Sequence, residues 1–222
     1  TARGSGFSSQ RAFVVRDAIA ESPSNQGRYE YRIWPRRVLP IVPTLQRDWT
    51  LDGAETRTDI YLLNSNSPNA LVKLRDGRRL EIKRRRPNHG NLQHWWVALS
   101  EAFPLPPSAL RHLATALLIP GLPPQTGCLS PAHLLAALSR FDDGFETLTV
   151  RKSRLSFRQK SCRAEITRTA WAGRTGLTIA LEDIDPGHAE RAVEALELGH
   201  WPNRSYGDVL CTRPVLIPKP TT

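Results

Sequence analysis

Between residues 71 and 87 the chain reads LVKLRDGRRLEIKRRRP, with charged and apolar side chains at alternate positions. Lys73 and Arg75 alternate with Val72 and Leu74; Glu81 and Lys83 alternate with Leu80 and Ile82. The same spacing recurs in Arg28, Glu30 and Arg32, in Lys152 and Arg154, and in Arg163, Glu165 and Thr167. A last set is Thr178, Ala180 and Glu182. A phosphate chain packs several charges within a few ångströms, and converging Lys and Arg side chains can replace its hydration. Carboxylates supply the hard oxygen ligands that divalent cations prefer. The chemistry to test is therefore polyanion binding, with or without a metal.

Side chains alternate between the two faces of a strand, so each set belongs to one face of a sheet. Asp76-Gly77 is a strong signal for a tight primed turn, which joins strands at 71–75 and 80–83. Further strands are predicted at 28–34, 56–63, 92–99, 146–150, 155–158, 161–169 and 175–182. Apolar parity slips near Lys152, which predicts a bulge or break there. Helical spacing covers 107–118, 131–141 and 185–198, with a short helix at 205–210. Pro107 and Pro131 suit first-turn positions, Ser130 an N-cap and Gly199 a C-cap, while 121–127 links the first two helices. Pro35, Pro40 and Pro43 leave 36–49 at most a broken helix. Residues 1–27, rich in Ser, Arg and Gly, read as a flexible leader, 28–210 as the folded domain, and 211–222 as a Pro-rich tail. Threonine at position 1 of a chain without methionine is expected where an initiator has been removed.

At 222 residues, 40% hydrophobic and 23% charged, the composition is that of a globular chain with a proper core. Its 31 Lys and Arg against 21 Asp and Glu give a formal charge of +10, which points to a polyanionic partner. No apolar run approaches the roughly 18–20 residues of a membrane span. Cys128, Cys162 and Cys211 are too scattered for a disulfide scaffold or zinc knuckle, and fit a cytoplasmic location. No phosphate-binding glycine loop, dinucleotide fingerprint or nucleophile elbow is present.

The parity opposite the charged sets is largely apolar: Tyr29, Tyr31 and Ile33; Val72 and Leu74; Leu177, Ile179 and Leu181. Two architectures give this pattern. One is an open antiparallel sheet with helices on one face, whose cations form a wet surface suited to nucleic acid. The other is a closed barrel with a charged interior. In the open sheet, Glu30 and Glu81 would be cross-strand partners of arginines and Arg84–Arg86 would be solvated. Trp95 and Trp96 place one indole on each face, one of them in the core.

The string Arg28-x-Glu30-x-Arg32 resembles the ExExK strand that opens the CYTH domain of the triphosphate tunnel metalloenzymes. Lys73-Leu74-Arg75 resembles that family's RxR strand, Glu81-Ile82-Lys83 its TxK strand, and Lys152-Ser153-Arg154 its later basic pair. Residues 177–182, 185–198 and Asn203-Arg204-Ser205-Tyr206 fall where the family has an ExE strand, a helix and a serine–lysine–tyrosine-like segment. The resemblance covers roughly 28–210. It implies an α+β fold, an antiparallel eight-stranded β-tunnel with helices packed outside, around a triphosphate, nucleotide or inorganic polyphosphate. Arg32, Lys73, Arg75, Lys83, Lys152 and Arg154 would then grip phosphate. Glu30, Glu165 and Glu182 would hold the Mg²⁺ or Mn²⁺ that activates water, with Glu30 counted as catalytic.

Four positions depart from the family pattern. Arg28 stands at the first glutamate, Thr178-Ile179-Ala180 replaces the ExE acids, and Thr167 replaces an aspartate. The basic half of the site is kept and most of the acidic half is not. A metal-dependent triphosphatase and a metal-independent binder of phosphorylated ligands both follow as expectations, with nucleic-acid binding as second choice.

Overall fold

The computed structural model describes residues 27–36, 40–119, 129–141 and 145–211. The leader before residue 27, the tail after 211, the 121–127 link and Cys128 lie outside them. In chain order the elements are β1 (Arg28–Ile33), α1 (Ile41–Asp48), β2 (Thr50–Asn64), β3 (Ala70–Arg75), β4 (Arg79–His89) and β5 (Leu92–Ala102). After these come α2 (Pro107–Leu117), α3 (Pro131–Leu138), β6 (Phe145–Gln159), β7 (Cys162–Trp171), β8 (Arg174–Asp183), α4 (Pro186–Ala195) and α5 (Tyr206–Leu210).

The strands pair antiparallel in the order β1-β5-β4-β3-β2-β6-β7-β8, and the ring closes because β1 bonds to both β5 and β8. This is the closed alternative, an α+β chain built on an eight-stranded barrel. Helices α2 and α3 cover the apolar outer face of β2–β5, burying Leu74, Leu80, Leu113 and Leu134. Helices α1 and α4 cover β1 and β6–β8 in the same way, around Ile33, Leu45, Ile179 and Val193. With both apolar faces turned outward onto helices, the polar parity has only the barrel interior to occupy.

Local signals hold where the chemistry is local. Asp76 and Gly77 have φ of 49° and 62°, the left-handed pair that a primed turn requires. The Ser130 hydroxyl accepts from the His133 N–H at the start of α3, and Ser205 with Asp208 forms a capping box on α5. At the end of α4 the left-handed residue is Glu197, not Gly199.

The bulge expected near Lys152 is absent: β6 runs unbroken and keeps register with β2 from Gly53↔Ser156 to Asn64↔Phe145. The parity slip has a different cause. Leu148 and Val150 point inward to an apolar floor with Tyr61, Leu63, Tyr206 and Leu210. Lys152 and Arg154 point inward one and two steps further along, into the polar cavity. On the outer side, exposed Thr147 and Thr149 give way to Phe157, which is buried in the outer core. The environment changes along the strand; the strand does not.

One seam needs outside help. The β1–β5 ladder stops at Glu30↔Gln93. Beyond it, Asn203 takes the missing strand's place: its Nδ2 donates to Glu30 O (2.9 Å) and Asn91 O (2.6 Å), and its Oδ1 accepts from Arg32 N (2.8 Å). Arg204 N donates to Arg32 O at 2.8 Å. Since a buried hydrogen bond contributes about 0.5–1.5 kcal/mol net, Asn203→Ala is expected to cost roughly 2 kcal/mol. Urea denaturation measures this, and an unchanged midpoint would show that the seam closes without Asn203.

Candidate functional site

Above the floor the barrel encloses a cavity of about 440 Å³. Nine Lys and Arg side chains line it against five Asp and Glu. Every residue expected from the sequence reaches it. The cations Arg32, Lys73, Arg75, Lys83, Lys152 and Arg154 come from β1, β3, β4 and β6, and the acids Glu30, Glu165 and Glu182 from β1, β7 and β8. The cations read as the wet face of an open sheet are inside: Lys73 is 7% exposed and Lys152 3%. Arg84–Arg86 do not line the cavity and are not fully solvated. They are half-buried, with Arg85 over the Trp95 ring and Arg86 over the Trp96 ring. Trp95 is the buried indole of the pair and borders the cavity.

The innermost cations are heavily engaged. Lys152 Nζ donates to Asp59 Oδ2 (2.9 Å) and to the Tyr61 hydroxyl (2.6 Å), and sits 3.9 Å from the centre of the Tyr206 ring. Asp59 also meets Arg57 Nε at 3.3 Å and Lys73 Nζ at 3.6 Å. Burial pushes the Asp59 carboxyl up, but Lys73, Lys152 and Arg57 outweigh it and hold the group at about 2. Burial and the neighbouring Lys73 together lower Lys152 well below the ordinary lysine range, although Asp59 opposes them.

Along the β1–β8 wall, Arg32 Nε donates to Glu30 (2.8 Å), and its terminal nitrogens reach Thr178 Oγ1 (3.2 Å) and Glu165 (3.5 Å). Arg154 pairs with Glu165 and with Glu55. Burial raises Glu165, yet Arg32, Arg154 and Lys83 prevail and hold it at about 2. Glu30 is likewise raised by burial and then drawn below the usual range by Arg32 and Lys83. On the opposite wall Glu81 takes Lys73 at 3.0 Å and Arg75 at 2.8 Å.

What lacks a partner is mostly cationic. The Nε atoms of Arg75, Arg154 and Arg163 are buried and have no hydrogen-bond acceptor among the described residues. The side chains of Lys83 and Arg28, both half-buried, form no ion pair or hydrogen bond with a described residue. Thr167, 1% exposed, leaves its hydroxyl unpaired in the same cavity.

The acids do not suit a divalent ion as they stand. Glu30 and Glu182 face each other across β1 and β8, and Glu165 lies diagonally on β7. Among the described residues, however, no three Asp, Glu, His or Cys converge as a metal-holding group. Glu30 and Glu165 are committed to arginines, and Thr167, Thr178 and Ala180 offer no carboxylate. Glu182 is the least compensated: burial, and then Glu165 and Glu30, raise its pKa against the pull of Lys83.

Sequence reasoning missed the contribution of β2. Glu55, Arg57, Asp59 and Tyr61 alternate like the other sets, and that alternation was the available signal. It is easy to pass over, because the strand starts at Thr50, six residues earlier than expected.

No family model matches the chain, and no curated protein sequence matches it. Solved structures do resemble it. PH1012 from Pyrococcus horikoshii OT3 is 14% identical with a TM-score of 0.50, over 84% of this chain and 99% of that one. A conserved hypothetical protein from Pyrococcus furiosus is 14% identical with a TM-score of 0.48, over 81% and 97%. A putative adenylyl cyclase from Hippeastrum with a dominant triphosphatase activity is 15% identical with a TM-score of 0.45, over 83% and 94%. At these identities the likeness is one of fold.

The two kinds of carboxylate differ in how they respond to pH. Glu165, at about 2 in the folded chain against 4.5 ordinarily, stabilises above the ordinary value, and the contribution is lost as pH falls towards 2. For Glu182 the folded value lies above 4.5, so its contribution is favourable in acid and is lost as pH rises through that raised value. Glu182→Gln is therefore expected to raise Tm at pH 8 and change it little at pH 4, whereas Glu165→Gln lowers Tm at pH 8. Thermal denaturation at both pH values decides, and a lower Tm for Glu182→Gln at pH 8 would contradict the assignment.

Proposed function

We propose, from the CYTH-like triphosphate-tunnel fold of this chain, that its cavity takes up a linear triphosphate-containing or inorganic polyphosphate ligand. The observation that carries this reading is the set of buried guanidinium N–H groups without acceptors, on Arg75, Arg154 and Arg163. Leaving such a donor unpaired costs about 1–3 kcal/mol, and more when it is charged. Phosphate oxygens are the acceptors that suit three arginines and the side chains of Lys83 and Arg28, which line the cavity from β1, β3, β4, β6 and β7. The binding residues are Arg32, Lys73, Arg75, Lys83, Lys152 and Arg154, and none of their contacts requires a metal.

A second reading adds hydrolysis with Mg²⁺ or Mn²⁺ at Glu30, Glu165 and Glu182. It draws support from the crowding of these three carboxylates: burial first, and then Glu165 and Glu30, keep Glu182 raised. Phosphate oxygens compete for Arg32 and Arg154, so ligand binding is the event that would release Glu30 and Glu165 from their ion pairs. The nucleic-acid reading rested on an open basic face and on Arg84–Arg86; Lys73, Arg75, Lys83, Lys152 and Arg154 line the cavity, while Arg84–Arg86 lie outside it and half-buried.

Thermal shift with sodium tripolyphosphate in EDTA tests the first reading. At 100 times Kd the gain is about 2.7 kcal/mol, or roughly 5–10 °C for a chain of this size. Arg154→Gln is expected to weaken binding tenfold or more. No shift in EDTA at millimolar tripolyphosphate would remove the proposal. For the second reading, phosphate release should require added Mg²⁺ or Mn²⁺ and vanish in Glu30→Gln; absence of turnover with either ion removes it.

A further inference from the structure

We infer that Asp59 determines specificity: it is a built-in anion that competes with a ligand's phosphates for the inner binding cations Lys73 and Lys152, and so weights the ligand towards the outer ones. This rests on the polyphosphate reading above. Asp59 is 0% exposed and does not border the cavity, yet the three cations that meet it, Lys73, Lys152 and Arg57, all do. Its Oδ2 alone takes Lys152 at 2.9 Å, Arg57 at 3.3 Å and Lys73 at 3.6 Å, while Oδ1 is buried without a partner. A single carboxylate thus lies behind the cavity wall and draws three positive groups back towards itself.

The cations divide accordingly. Lys152 is fixed on four sides by Asp59, the Tyr61 hydroxyl and the faces of Tyr61 and Tyr206. Lys73 is shared between Asp59 and Glu81, and Arg57 between Asp59 and Glu55. Arg75, Arg154 and Arg163 also meet carboxylates, but each keeps a buried Nε donor with no acceptor among the described residues, and Lys83 has no carboxylate of a described residue within ion-pair distance. A phosphate chain gains most where donors are unmet. At the inner cations it must compete with a carboxylate that is already in place and fully desolvated. Asp59 therefore limits how far along the cavity phosphate charge is rewarded, and hence the chain length that the site prefers.

Asp59→Asn keeps the shape and removes the charge; Asp59→Glu keeps the charge. Calorimetric titration in EDTA with sodium tripolyphosphate and tetrapolyphosphate compares both with the wild type. Wild-type protein is expected to bind the two ligands within about threefold of each other. Asp59→Asn should bind tripolyphosphate at least tenfold tighter than wild type and favour tetrapolyphosphate further, while Asp59→Glu stays near wild type. A residue that merely held the fold together would, on substitution, weaken binding or leave it unchanged. Equal or weaker binding by Asp59→Asn, or the same gain in Asp59→Glu, overturns the inference and leaves the polyphosphate reading standing. Should the wild type bind neither ligand, both fall together. If Asp59→Asn does not fold alone, its refolding with tripolyphosphate present is read instead: recovery supports the inference, and failure to recover overturns it.

Discussion

Charges removed from water must find opposite charges, and the inside of this barrel is arranged around that requirement. An isolated buried carboxylate or ammonium carries a desolvation penalty of several kcal/mol even after relaxation. Here Lys73 joins Asp59 to Glu81, and Arg57 joins Asp59 to Glu55. Arg154 joins Glu55 to Glu165, and Arg32 joins Glu165 to Glu30. The result is one continuous lattice of alternating sign running round the wall from β4 to β1. It lets a hydrophilic interior survive at the centre of a fold whose apolar cores all lie outside the ring or at its floor. The lattice ends in surplus cation: nine Lys and Arg side chains line the cavity against five Asp and Glu.

The acids of the site therefore have two kinds of work. Glu30, Glu81 and Glu165 are lattice members whose negative charge is secured by arginine and lysine. Glu182 stands apart, with Arg163 only at 3.9 Å and two like charges nearby. Where the sequence departs from the pattern it resembles, at Arg28, Thr167, Thr178 and Ala180, the change is each time from acid to base or neutral. Those changes share a direction: each removes a carboxylate from the inward face of the barrel wall.

How much could be read from residues alone follows from the range of each interaction. The hairpin at Asp76-Gly77 and the inward set Lys73, Arg75, Glu81 and Lys83 were legible because a period of two is a local signal. The caps at Ser130 and Ser205 were local too. Alternation alone could not show closure, which depends on β1 meeting β8 with Arg32 opposite Ala180; the resemblance to the CYTH domain implied it, and the ring does close. The continuity of β6 was hidden because the meaning of "inside" changes from floor to cavity along one strand. Nor can alternation say which acids are spent on arginines, since Glu165 and Glu182 share a parity and differ only in their neighbours.

The seam beside Asn203 bears on how such a chain is made. Arg32, near the start of the barrel, waits for Asn203 and Arg204, emerging some 170 residues later, before its backbone groups are satisfied. A barrel completed by its last-synthesised part cannot close on the ribosome until nearly all the described chain has left it, and such non-local topology folds slowly. In the meantime α2 and α3 follow directly after β5 and can shelter the apolar side of β2–β5. The face left open to water is the charged one, so the unfinished sheet presents a wettable face there while its outer strands await their partners.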